Sequence, residues 1–308
     1  MQILLDNFIE AWINAIKYHD KIMKGYITLG IQKQFVSSLH NAVELCLKQK
    51  MLDKNDTFVA EIRIIKDKKD AELSVKYFQK AEKGLLNEFF EELSKDEISK
   101  FRSIEFNQFK TKYKKLIDIN ETEKELFTES LDLLPKLRNN ETHFYIDNSF
   151  LSEEDFCKLH NFMIVFYKSA VEDFLEKNKL IHQWRVWGSD KIKMIDESGR
   201  NVIFNQIKLE SFSYKQAILD NELSNIIKER AEKIDLQVPC DRLDAYASYM
   251  SDPFSSFKVS NYSYEDIHTM LLSMKNIKLV EVKEYKHEEQ DYNNNIYVYT
   301  FIYLNFNF

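Results

Sequence analysis

Apolar positions along the chain recur mostly at three- and four-residue steps, the period of a helix buried on one face. Leu5, Ile9, Trp12 and Ile16 set this pattern over residues 3–18. Gly25 and Gly30 punctuate a connection, and a stripe of Phe35, Leu39, Ala42/Val43 and Cys46 predicts a second helix over 32–51. The polar stretch Asp53 to Asp56 closes it. Over 58–65 the pattern fits a short strand and a helix start equally well, and 66–70 reads as a solvated charge run. The Lys- and Glu-dense stretch 71–116 carries Phe78, Leu85, Phe89, Phe90 and Leu93 at helical spacings. Asn120 and Thr122 mark a further helix start, and 124–134 carries that helix up to Pro135.

The most regular stripe is Phe156, Leu159, Met163, Phe166, Ala170 and Phe174, opened by Ser152 with Asp155 at capping-box spacing. It predicts a helix over 153–177, and such regularity belongs to a packing interface rather than a cofactor site. Beyond Lys177 strand signals enter. Two short apolar runs flank 196–200 as a hairpin, with Trp184 and Trp187 just before them. Helices follow at about 221–233, 240–250 and 263–274, then a hairpin whose arms, 277–282 and 296–304, bracket a polar loop beginning at His287. Three helices and a hairpin is the order of a winged helix. The helix in the reading position, 263–274, holds Glu265 and Asp266 and no Lys or Arg. A helix that reads a DNA groove is basic, so a regulatory or partner-binding role is expected here. The prediction is a mainly α protein: a helical domain over 1–178, then a smaller α+β region over 179–308, with a soft boundary at 178–190.

Composition supports long regular elements. Only 5 Gly and 3 Pro occur in 308 residues. The net charge of -7 with 30% charged residues rules out a general polyanion binder, so any nucleic-acid contact must be a local basic surface. Cys46, Cys157 and Cys240 lie far apart without zinc-ligand spacing, and the first two fall on apolar stripes, as buried thiols do. The N-terminus lacks a signal-peptide pattern, and the absence of an 18-residue apolar run predicts no membrane contact. A cytoplasmic location is expected.

The chemistry concentrates at Leu137-Arg138-Asn139-Asn140-Glu141-Thr142-His143-Phe144-Tyr145. An imidazole moves protons at neutral pH, and a guanidinium steadies charge growing on a phosphate. Together they support attack of an RNA 2′-hydroxyl on the adjacent phosphorus. His143 is the candidate base or acid, Arg138 the oxyanion ligand, and Asn139 an orienting group. DNA lacks that hydroxyl, so the chemistry is specific to RNA. On an unbroken helix five residues turn roughly 500°, which sets Arg138 and His143 about 140° apart. Convergence calls for a turn between them. Asn139 and Asn140 tolerate left-handed backbone and commonly end helices. The motif is therefore expected at a helix end, with His143 swinging toward Arg138 or toward the arginine of a partner chain. Glu44 stands four residues from both His40 and Lys48. It reads either as half of a surface Glu–Lys pair or as a carboxylate that fixes the Arg138 fork. His40 and His160 read as structural.

The segment Arg138-Asn139-Asn140-Glu141-Thr142-His143 resembles the Arg-polar-x-x-x-His signature of the HEPN superfamily, all-helical bacterial domains that include toxin and phage-defence ribonucleases. The resemblance extends to Asn41-Ala42-Val43-Glu44-Leu45-Cys46-Leu47-Lys48 and covers roughly residues 1–178. It implies a metal-independent endoribonuclease without cofactor, working as a homodimer with two motifs lining one cleft. Arg138, Asn139 and His143 carry over as catalytic positions, with Asn140 and Glu44 supporting. His143-Phe144-Tyr145 matches a His-x-Tyr subset in which the tyrosine is modified to silence the nuclease. The resemblance thus points to toxin–antitoxin or abortive-infection partners, namely an antitoxin or a phage-derived trigger. The alternatives are a non-catalytic HEPN module that binds RNA or protein, and a transcriptional regulator using the C-terminal region.

Overall fold

A computed structural model describes residues 3–62, 65, 67–143, 151–172, 212–237, 242–259 and 261–307; over 139–143 the description is of the backbone. The hairpin expected around 196–200, Trp184, Trp187, Cys240, Tyr145 and the boundary at 178–190 lie outside the described residues. The architecture is mainly α with a small C-terminal α+β part. By packing, the described residues of 3–17, 33–143 and 154–172 form one unit, and those of 18–32, 151–153 and 212–307 form another.

The first unit is built on the predicted stripes. Helix α1 (Ile3–Met23) buries Leu5, Ile9, Trp12 and Ile16, and α2 (Leu29–Asp53) buries Phe35, Leu39, Val43 and Cys46. Gly30, expected in the connection, instead lies in the first turn of α2. The ambiguous 58–65 segment contains a one-turn 3-10 helix at Thr57–Val59 and then β1 (Ala60–Ile62). Its partner is β2 (Phe101–Ser103), antiparallel with Ile62 opposite Phe101. This strand interrupts a region read as helical throughout. Between the strands come α3 (Lys68–Glu82), α4 (Leu86–Glu92) and the short α5 (Lys95–Ile98). Tyr77, Phe89, Phe90 and Phe101 pack edge-to-face and tilted at ring separations of 5.3 to 5.9 Å, and this cluster holds Phe101 in the ribbon. The charge run at 66–70 is not wholly solvated. Asp67 caps α3, while Asp70 is buried against Lys100 at 2.5 Å.

Helices α6 (Phe109–Leu116), α7 (Lys124–His143) and α8 (Glu153–Phe166) complete this unit, and α8 runs on as π-helix over Tyr167–Val171. Trp12 stacks on Tyr167 at 6.4 Å, Phe35 meets Phe156 at 5.7 Å, and Phe127 meets Phe162 at 5.0 Å. The stripe from Phe156 to Ala170 is therefore core, as its spacing indicated, and Phe174 lies outside the described residues. Cys46 and Cys157 are buried and form no disulfide among the described residues.

The second unit contains α9 (Tyr214–Leu219), α10 (Glu222–Ala231), β3 (Leu236–Gln237), α11 (Arg242–Ser251), α12 (Tyr264–Asn276), β4 (Val280–Gln290) and β5 (Ile296–Phe306). The sheet order β3-β5-β4 puts the strand after the first of the three helices beside the last strand of the hairpin. This is the element order of a winged helix. Ser263 and Asp266 form a reciprocal capping box at the start of α12. The buried Tyr246 hydroxyl donates to the Ile302 carbonyl and so fixes α11 to β5. Gly25, at φ +84°, turns the chain so close to α9 that a Cβ there would lie 2.8 Å from the Ala217 carbonyl oxygen. The hairpin arms are longer than expected, since residues 283–290 also pair as strand. The turn shrinks to Asp291–Asn295, where the Asp291 carboxylate accepts from the amides of Asn293 (2.8 Å) and Asn295 (2.9 Å).

Candidate functional site

The motif occupies the C-terminal turns of α7. Phe127, Leu131, Leu134 and Leu137 recur at helical steps and are buried, which holds this helix against the core. Pro135 lies inside the helix and not at its end. A proline there forfeits one backbone hydrogen bond and costs about 3 kcal/mol. The buried leucines at 131, 134 and 137 offset that loss by keeping the flanking turns on the core. The helix also continues through Asn139 and Asn140 to His143. This corrects the expectation of a turn between Arg138 and His143. Asparagine's preference for helix ends is worth only tenths of a kcal/mol, too little to break a helix anchored by Leu137. The two positions therefore stand about 140° apart around one axis, and a single copy does not bring them together through a bend in the chain.

Arg138 is exposed, one residue past the buried Leu137, and makes no ion pair among the described residues. The side chains of Asn139, Asn140 and His143 are not among those described, and Tyr145 lies outside the described residues.

The structure adds a neighbour that spacing did not indicate. His40 on α2 is 1% exposed and stacks on Phe106 at 4.1 Å. Burial lowers its pKa to about 4, and the charges of Arg138 and Lys48 push the same way, while Glu44 opposes them. The imidazole is therefore neutral at physiological pH, and its 3.7 Å approach to the Glu44 carboxylate is no ion pair. Glu44 instead binds Lys48 at 2.5 Å, and Lys48 donates to Ser103 Oγ at 2.9 Å. This chain ties α2 to β2, with the carboxylate committed to Lys48 and not to Arg138. His160 is likewise buried. No sequence signal joins His40 to Arg138, whose charge reaches the imidazole only in the folded chain.

Among the described residues no group of three or more His, Cys, Asp or Glu side chains is arranged to hold a metal ion, and no helix is long and apolar enough to cross a membrane. Fold and site together define a mainly α protein that exposes Arg138 on the C-terminal turns of α7 and has a winged-helix order of elements in its C-terminal part. Comparison of the chain with protein-family models, curated proteins and solved structures finds no match.

Proposed function

We propose that this protein is a metal-independent endoribonuclease that acts as a homodimer, in the manner its HEPN resemblance implies. The observation that carries the reading is the exposed Arg138, which makes no ion pair among the described residues, on the C-terminal turns of the helix whose backbone also carries His143. A helix terminus can approach a second copy of itself. Two such termini would offer Arg138 of one chain and His143 of the other to one phosphodiester, which the 140° separation denies to a single helix. The imidazole takes the 2′-hydroxyl proton, the oxygen attacks phosphorus, and the guanidinium binds the non-bridging oxygens as charge accumulates. The 5′-oxygen leaves and takes up a proton, so one product carries a 2′,3′-cyclic phosphate.

A ribonuclease of this type injures its own cell. We place it in a toxin–antitoxin or abortive-infection setting, gated by an antitoxin, by modification of Tyr145, or by the C-terminal region sensing a phage product. Purified protein incubated with RNA in EDTA should release cyclic-phosphate ends. Arg138→Ala or His143→Ala should slow cleavage by about 100-fold or more. Intact RNA at every protein concentration, or cleavage unchanged by both substitutions, refutes the reading and leaves a non-catalytic module.

A further inference from the structure

The outward face of the C-terminal hairpin carries chemistry that the cleavage reading does not use. In the β4–β5 register, Lys283 pairs with Tyr303, Tyr285 with Phe301, His287 with Tyr299 and Glu289 with Tyr297. Strand alternation puts these residues on one face, opposite the face on which Ile302 and Leu304 enter the core. The result is a ladder of five aromatic rings. Tyr285 and Tyr297 are 56% and 48% exposed, and the Tyr285 and Tyr303 rings meet edge-on at 5.4 Å. A soluble protein does not ordinarily leave so many rings in water on a paired strand.

At the base of the same hairpin lies an open groove of about 850 Å³, lined by Arg242, Lys275, Lys278 and Lys283, with Glu281 as its one acidic wall residue. Glu284 pairs with Arg242, so three lysines stand against the single Glu281 carboxylate and leave the groove net positive. Lys278 stands at φ 58°, a left-handed position where glycine is favoured. Lys283 belongs both to the groove and to the aromatic face, so cations and rings are continuous.

We propose that this face binds single-stranded nucleic acid, with the phosphates along the lysine groove and the bases against the aromatic ladder. Rings two residues apart on a strand are about 7 Å apart, twice the roughly 3.4 Å charge spacing along one strand of a duplex. The ladder suits a strand whose bases are separated and open to stacking. A duplex hides those faces, and α12 offers it Glu265 and Asp266 in the first turn. The ladder needs neither Arg138 nor His143. It is an independent site that would retain RNA on the protein.

The test is fluorescence anisotropy of labelled deoxyoligothymidine on the full chain. This probe lacks the 2′-hydroxyl, so its binding is indifferent to whether the protein cuts RNA. Oligothymidine should bind more tightly than a duplex of equal length. Tyr285→Ala with Tyr297→Ala should weaken it by about tenfold. Both rings are exposed, so the fold is preserved. Lys278→Gly with Lys283→Gln should lower the salt slope by about 0.7 per lysine, and the glycine suits the left-handed backbone. The proposal is overturned by absence of binding at low salt, by equal binding to duplex, or by unchanged affinity in both double variants. It is also overturned if the tyrosine substitutions alter self-association and leave oligothymidine binding as it was.

Discussion

Two regions of the molecule carry candidate nucleic-acid chemistry, and they are built in opposite ways. At the end of α7 a buried leucine stripe carries two candidate positions on a single axis, and the helix keeps them about 140° apart. On the β4–β5 ribbon, pairing collects residues from two strands onto one face, so one hairpin assembles five rings and Lys283 by register alone. A helix end can aim only one of its two groups at a given atom and needs a second chain to supply the other. A paired ribbon focuses its groups without help. The first arrangement suits regulated catalysis gated by assembly, the second retention of an extended ligand.

The comparison is sharpened by perturbing the support of each region. The larger effect is expected at His40, which feels the Arg138 charge. Its pKa is lowered from 6.5 to about 4, so the unfolded chain binds the proton more readily than the folded one. Stability from this group is fully present above pH 6.5, falls as pH drops toward 4, and is flat below that. The full contribution is about 3 kcal/mol. His40→Phe keeps the stack on Phe106 and carries no proton, so chemical denaturation between pH 7 and 4 should lose that portion of its slope. An identical pH dependence in the two proteins would remove His40 as a buried neutral group.

A smaller loss is expected in the unit that holds the hairpin. Gly25→Ala forces a side chain into left-handed backbone and against the Ala217 carbonyl, at a cost of about 2 kcal/mol. Denaturant midpoints would register it. A midpoint shift near zero would mean that the turn at Gly25 relaxes freely.

The sequence made the buried faces legible and the exposed chemistry much less so. The stripes on α1, α2 and α8 were readable because burial repeats with helical period, and the three C-terminal helices with their hairpin were readable for the same reason. β2 was not, because Phe101 owes its strand to Tyr77, Phe89 and Phe90, which reach it only in the fold. Asp70 looked solvated because its neighbours in the chain are charged, while its partner Lys100 is brought in by packing. The continuation of α7 past Pro135 was hidden because local preference favours a stop there, and tertiary anchoring of Leu134 and Leu137 overrides it. For the candidate site, residue identity was legible and mutual geometry was not. Neither the straight helix between Arg138 and His143 nor the closeness of His40 can be read from spacing.

The central claim is that arginine and histidine from two chains serve one phosphodiester. It is tested most directly by mixing the two inactive variants. Arg138→Ala and His143→Ala proteins, each purified alone and then co-refolded, should regain cleavage, because mixed dimers hold one intact arginine and one intact histidine across the interface. A mixture as inactive as its components, measured where wild-type protein cleaves, would contradict the account.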